Sequence, residues 1–236
     1  MKTIINKLTL ITGLLVSSCS LINGAAPAAT KSLSNYAFQG AAVLPVTTIK
    51  KFDPQTKITQ ETKYFILGRE KHKKTWNAFG GDKDKGENHP EVTAGREFYE
   101  ETAGVLFDSA TDAIKYINID KGHTESIIAN RGGVNYVTTI SKDMSKKFIK
   151  EFYPARKKTK SRNMREMDKI ALVREDRLQK AIANKQNTVE ADVINEDGTK
   201  SRTTITLRKF FAKLMQPYFA NQQGTPGKDP RIVFYD

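Results

Sequence analysis

Three glutamates lie within a five-residue stretch whose spacing would bring their carboxylates together. Glu97, Glu100 and Glu101 stand at positions i, i+3 and i+4, which share one face of an α-helix. Like charges so arranged destabilise an isolated helix by roughly a few tenths of a kcal/mol per pair, and a hard divalent cation among them would remove that repulsion. Because these ligands are oxygens with no Cys or His among them, they favour Mg²⁺ or Mn²⁺ over Zn²⁺. An ordinary solvated helix face is the alternative.

The element that would carry these carboxylates is well delimited. The pattern predicts a helix over 90–102, because Pro90 suits a first helical turn and Gly104 suits a helix end. Three glycines precede it, Gly80, Gly81 and Gly86. Glycines there let the backbone turn tightly and approach a ligand, which frees a carbonyl for a metal or an amide for a phosphate.

This region resembles the signature box of the Nudix hydrolases. That box reads Gly, five residues, Glu, seven residues, Arg-Glu, an apolar residue, any residue, Glu-Glu, any residue, Gly and an apolar residue. Gly81 and Glu87 have the spacing of the box, and 96–101 matches its helical part in full as Arg-Glu-Phe-Tyr-Glu-Glu. The preceding strand, ending at 64–69, and Trp76 also sit where the family has them.

Two departures from the box affect its flanks. Eight residues instead of seven separate Glu87 from Arg96, and two instead of one separate Glu101 from Gly104. We expect the first extra residue to lie in the loop at 88–89, so that the helical register of the carboxylates survives. We expect the second to lengthen the helix exit.

The resemblance implies a Nudix-type fold and activity. The fold would be α/β (α+β), an α/β/α sandwich with a mixed β-sheet. The activity would be metal-dependent hydrolysis of a phosphoanhydride in a nucleoside diphosphate derivative or a related phosphorylated compound, by attack of water at phosphorus with Mg²⁺ or Mn²⁺ as cofactor. The implied catalytic residues are Glu87, Arg96, Glu97, Glu100 and Glu101, and the implied metal ligands are Glu97, Glu100, Glu101 and Gly81. Arg96 would orient the glutamates by ion pairing, for instance with Glu100, Glu87 would be an auxiliary carboxylate, and the general base would be one of the glutamates or a distant acid.

Two features outside the box are weaker candidates. Glu166, just before a predicted strand at 170–173, is a possible auxiliary metal ligand or base, although an isolated glutamate is often only solvated. The stretch 156–165 has six positive side chains and no acid. Its candidate substrate-binding residues are Arg156, Lys157, Lys158 and Lys160. This stretch could hold substrate phosphates or nucleic acid, or be a solvated loop; without interleaved aromatics, stacking on single strands has no support.

The N-terminal residues read as an export signal. Lys2 and Lys7 precede an apolar run over 8–16, which is shorter than the roughly 20 residues of a membrane-spanning helix. The run ends in Val-Ser-Ser-Cys at 16–19, which resembles the bacterial lipobox and predicts lipidation of Cys19. Simple cleavage near 26–29 is the alternative. Either interpretation predicts an exported protein in the bacterial cell envelope or periplasm, and lipidation would anchor it to the membrane.

Composition and patterning set the wider organisation. Apolar residues make up 38% of the chain, which supports a globular core, and a net charge of +13 favours anionic partners. A single cysteine excludes an internal disulfide and a thiolate zinc cage. We predict a signal peptide at 1–18, a linker at 19–35 and one domain at 36–236 with additions at about 141–206. Predicted strands are 38–48, 62–67, 133–140, 170–173, 189–194 and 203–207, and further predicted helices are 145–152, 175–183 and 207–219.

Two other functions stay open at this point. The first is a catalytically weak Nudix-fold module that binds phosphorylated ligands or nucleic acid, which the extra residue in the box leaves possible. The second is a structural lipoprotein of the envelope, in which the fold serves only as a scaffold.

Overall fold

The computed structural model describes residues 37–118, 121–130, 132–221 and 232–234. All of them belong to one compact unit, Ser32–Asp236. The predicted signal peptide, Cys19 and the whole of the predicted linker lie outside the described residues. Within those residues, no helix has the length and apolar character that crossing a membrane requires.

A mixed β-sheet forms the centre of the fold. Its ten described strands are β1 (Gly40–Asp53), β2 (Ile58–Glu70), β3 (Trp76–Asn77), β4 (Phe79–Asp82), β5 (Thr124–Asn130), β6 (Gly133–Thr139), β7 (Met167–Arg174), β8 (Thr188–Ile194), β9 (Lys200–Thr206) and β10 (Ile232–Phe234). Their order is β10-β5-β6-β1-β2-β7-β8-β9, with β3 paired to β2 and β4 to β1. The pairs β1–β6 and β5–β10 are parallel and the others antiparallel.

Helices cover both faces of this sheet. The described helices are α1 (Pro90–Glu101), α2 (Ala110–Ile117), α3 (Lys142–Lys158), α4 (Glu175–Ala183) and α5 (Lys209–Asn221), with a short 3₁₀ turn at Asn163–Arg165. Alternate residues of a strand point to opposite faces, and along β2 Ile66 packs with α1–α3 while Phe65 packs with α4 and α5. Two hydrophobic cores therefore flank the sheet, and the predicted α/β/α sandwich with a mixed sheet is confirmed.

Helix α3 is longer than the predicted 145–152. The Ser141 side chain caps it by accepting a hydrogen bond from the Met144 N–H. In its later turns, the side chains of Phe152 and Tyr153 are buried in the core. The helix therefore continues to Lys158 and includes the first three basic residues of the 156–165 stretch. The predicted helix 175–183 has the observed bounds of α4, whereas α2, β3, β4, β5 and β10 have no counterpart among the predicted elements.

Candidate active site

Helix α1 keeps the carboxylate register that the sequence predicts. It begins at Pro90 with His89 as N-cap, so the extra residue before Arg96 lies in the preceding loop. It ends at Glu101, and the next turn closes when Ala103 N–H donates to Glu100 O and Gly104 N–H donates to Tyr99 O. Ala103 and Gly104 are both left-handed, with φ of +56° and +68°. The second extra residue therefore lies in the left-handed turn that follows the helix, and it leaves the register of the carboxylates on α1 unchanged.

Gly80 and Gly81 lie on strand β4, between β1 and the carboxylates of α1. A Cβ on Gly80 would lie 2.2 Å from Ala42 Cβ, and a Cβ on Gly81 would lie 2.6 Å from Glu97 Oε1. Gly80 N–H donates to Glu101 Oε2 at 2.5 Å. Any side chain at these two positions would therefore separate β4 from β1 or displace the carboxylate of Glu97.

Arg96 links the glutamates of the box. Its Nε donates to Glu87 Oε1 at 2.8 Å, and its Nη1 donates to Glu97 Oε1 at 2.6 Å. The predicted pair with Glu100 is present but longer, at 3.5 Å. Glu87 also accepts hydrogen bonds from the Thr93 hydroxyl and the Asp84 N–H. Glu87 does not line the cleft described below, so in this structure it positions Arg96.

The environments of the glutamates move their pKa values in opposite directions. Partial burial acts to raise the pKa of Glu87, but hydrogen bonds from Arg96 and Thr93 outweigh it and lower the value to about 2. Burial raises the pKa of Glu97 to about 7 despite the adjacent Arg96, with further contributions from Glu100 and Glu166. Burial, followed by repulsion from Glu97, raises the pKa of Glu101 well above its usual range, although Gly80 N–H acts against this. Without a cation, the site therefore holds protons near neutral pH.

The carboxylates line one cleft of about 430 Å³. Three of them lie on α1, namely Glu97, Glu100 and Glu101. The other two are Glu166, which directly follows the 3₁₀ turn, and Glu70, the last residue of β2. These five glutamates thus come from three segments that are distant in the sequence, and Asp82 and Asp84 line the cleft from a fourth. No hydrogen bond or ion pair to the Glu166 side chain is found in the described part of the chain.

The cleft also contains groups that bind anions or carboxylates. Arg208, just before α5, pairs with Glu70 at 3.0 Å, and Lys73 pairs with the same carboxylate at 2.7 Å. Asn163 Nδ2 donates to Glu100 Oε2 at 3.1 Å. Sequence reasoning missed Glu70, Lys73 and Arg208, because Glu70 and Arg208 are 138 residues apart and no local pattern marks either one.

The donor set of the cleft suits a hard cation. Its candidate ligands are carboxylate oxygens, with the backbone of Gly81 beside them, and Mg²⁺ and Mn²⁺ prefer such oxygens. Glu97 packs so closely on Gly81 that a Cβ there would fill its place. Among the described residues, however, no three Asp, Glu, His or Cys side chains converge as a ready metal-binding group. Glu97 is engaged by Arg96 and Glu101 by Gly80.

The structure does not bring the basic side chains of 156–165 into the cleft, although Asn163 of that stretch lines it. Arg156 Nε donates to the Met167 carbonyl at 2.7 Å, and Lys157 pairs with Glu196 at 2.5 Å. Lys158 and Lys160 do not line the cleft either. The positive groups that do line it on the β2–β3 side are Lys71 and Lys73, with Arg208 beside them.

A scan against protein-family models finds no match to this chain, and a search of curated proteins finds no significantly similar sequence.

Proposed function

We propose that this protein is a metal-dependent pyrophosphohydrolase that cleaves a phosphoanhydride in a nucleoside diphosphate derivative or a related compound. The observation that supports this proposal best is that Glu97, Glu100 and Glu101 line one cleft together with Glu166 and Glu70, beside the glycines of β4. Repulsion among so many carboxylates is unfavourable unless protons or cations neutralise them. The resemblance of 81–104 to the Nudix box supports the same reaction.

Glu97, Glu100 and Glu101 would hold Mg²⁺ or Mn²⁺, with the Gly81 carbonyl as a further oxygen. When bound, the metal would neutralise charge on the phosphates and lower the pKa of a water molecule. The remaining chemistry belongs to the chain. Arg96, fixed by Glu87, keeps Glu97 and Glu100 oriented toward the cleft.

Other groups of the cleft would accept the proton and bind the substrate. Glu166 is exposed and has no competing hydrogen bond in the described structure, so it can accept the proton of an attacking water. Arg208 and Lys73 carry positive charge into the cleft and can bind phosphates that do not react. After product release, Lys73 and Arg208 would again pair with Glu70 alone.

One observation favours a second candidate, a module that binds phosphorylated ligands with little turnover. In the described structure Glu97 and Glu101 are already engaged by Arg96 and Gly80, and no ready metal group is formed. Such a module would retain phosphate binding through Arg208 and Lys73. It would show no dependence of turnover on Mg²⁺.

The test uses protein lacking residues 1–30. Nucleoside diphosphate sugars, dinucleoside polyphosphates and nucleoside triphosphates are incubated with and without Mg²⁺ or Mn²⁺, and products are identified by ³¹P NMR. We expect metal-dependent cleavage of a phosphoanhydride that is lost in Glu100→Gln and kept in Glu151→Gln, which changes an exposed glutamate of α3. Binding without metal-dependent cleavage of any member of the panel would favour the second candidate.

We also propose that the protein is exported and lipid-anchored through Cys19. Acyl chains would supply an anchor that a nine-residue apolar run cannot. Cys19→Ser should then move the protein from membrane to soluble fractions. An unchanged distribution would contradict lipidation and favour simple cleavage or an uncleaved anchor.

A further inference from the structure

A second pocket lies beside the cleft and shares part of its wall. It has a volume of about 120 Å³, well above the roughly 30 Å³ that one water molecule occupies. The residues that matter here are Gly40, Gly80, Gly133, Asn135, Arg208 and Phe210. Gly80, Gly81, Asp82 and Arg208 line both this pocket and the cleft. The two cavities therefore adjoin each other at strand β4 and at Arg208.

Asn135 supplies the clearest sign that this pocket accepts a ligand. It lies on β6 and is 8% exposed. Its neighbours Val134 and Tyr136 belong to the core of the α1–α3 face, so Asn135 points to the α5 face, where the pocket lies. Its side chain lines the pocket, and no hydrogen bond from its amide to the protein is found among the described residues. An amide that is nearly buried, faces a pocket and makes no hydrogen bond to the protein can pair with a ligand there.

Phe210 provides an aromatic surface at the same pocket. It is 45% exposed, so part of its ring is open to solvent. Its ring lies over Gly133, where an added Cβ would be 3.7 Å from two ring carbons. An exposed ring beside glycine backbone leaves room for a planar group to stack.

Arg208 stands where the two pockets join. One guanidinium nitrogen binds Glu70 at 3.0 Å, while the side chain stays 41% exposed. Its free donors can bind a phosphate with bidentate geometry. A phosphate chain attached to a ring in the second pocket would pass this guanidinium on its way to the carboxylates.

We propose that the second pocket binds the nucleobase of the substrate, with Asn135 hydrogen-bonding to the base edge, Phe210 contacting its face and Arg208 binding the adjacent phosphate. This proposal rests on the proposed function, because it assigns the non-reacting half of the same substrate. An amide offers one donor side and one acceptor side, which suits a base edge with the complementary pair, as adenine has at N6 and N7. Sugar diphosphates without a base would leave Asn135 unpaired.

The test measures base binding without turnover. Saturation-transfer NMR is recorded in EDTA on AMP, GMP, CMP and UMP, with ribose 5-phosphate for comparison, using protein lacking residues 1–30. We expect saturation of the base protons of at least one nucleotide, and little saturation of the sugar protons of ribose 5-phosphate. Asn135→Leu and Phe210→Ala should each weaken nucleotide binding about tenfold or more. The matched control Gln216→Leu, which removes an exposed amide elsewhere on α5, should leave it unchanged.

The outcomes separate this proposal from the proposed function. Base binding that survives in Glu100→Gln and is lost in Asn135→Leu supports the pocket, whether or not hydrolysis is seen. Equal saturation in wild type, Asn135→Leu and Phe210→Ala would overturn it. So would metal-dependent hydrolysis of diphosphates that is indifferent to the presence of a base, and that result would leave the proposed function standing.

Discussion

Replacing Glu97 by Gln should change how the stability of the metal-free protein depends on pH. In the unfolded chain this carboxyl ionises with a pKa near 4.5, whereas burial in the folded protein raises its pKa to about 7. Between these values the unfolded state releases the proton more readily, so the free energy of unfolding falls as pH rises. Gln does not titrate. The variant should therefore lack this part of the decline.

The size of the effect follows from the shift. A pKa raised from 4.5 to about 7 corresponds to about 3 kcal/mol once both states are ionised, at about 1.4 kcal/mol per pKa unit. Part of this destabilisation is already present at pH 5, so the free energy of unfolding falls by about 2–3 kcal/mol between pH 5 and pH 8 through this group. The Glu97 side chain is only 12% exposed, so solvent screening removes little of it.

Urea denaturation in EDTA at pH 5, 6, 7 and 8 measures this difference. We expect Glu97→Gln to gain about 2–3 kcal/mol relative to wild type between pH 5 and pH 8, while the exposed Glu151→Gln follows wild type. If the free energy of unfolding declined equally with pH in Glu97→Gln and in wild type, the claim that Glu97 is a buried carboxylate with a raised pKa would be refuted.

Three further predictions address other parts of the site. Glu100→Gln and Glu101→Gln should each lower kcat by about 100-fold or more with an unchanged circular dichroism spectrum, and near wild-type turnover at limiting Mg²⁺ would contradict their role as ligands. Gly81→Ala should destabilise the protein by about 1–3 kcal/mol and reduce activity, because its Cβ would lie 2.6 Å from Glu97 Oε1; wild-type values for both would mean that this close approach is unimportant. Asn135→Leu should change the free energy of unfolding by less than about 1 kcal/mol, because no hydrogen bond from its amide to the described protein would be lost, and a larger loss of stability in urea would show that the amide has a partner in the folded protein.

The carboxylate helix could be predicted because its evidence is local. Pro90 at the start, the i, i+3 and i+4 glutamates and the glycine after Ala103 all lie within one short stretch. Helix geometry alone then decides which side chains share a face. The sequence also predicted the loop position of the extra residue, because a proline fixes where a helix can begin.

Groups from distant segments could not be predicted in this way. Glu70 and Arg208 are 138 residues apart in the sequence. They form an ion pair because the fold places the end of β2 next to the start of α5. The sequence pointed instead to the basic run beginning at Arg156. That run is tied to the backbone and to Glu196 through its first residues, which only the packing of α3 against the sheet reveals.

The most direct test of the account is a titration of metal-free protein with Mn²⁺, followed by electron paramagnetic resonance of the free ion. We expect wild type and Glu151→Gln to bind Mn²⁺ with the same affinity, and Glu100→Gln to bind about tenfold or more weakly, because it loses a charged ligand of the cleft. Equal binding by all three proteins, or no binding by wild type at millimolar Mn²⁺, would contradict a divalent-metal site on the carboxylates of α1.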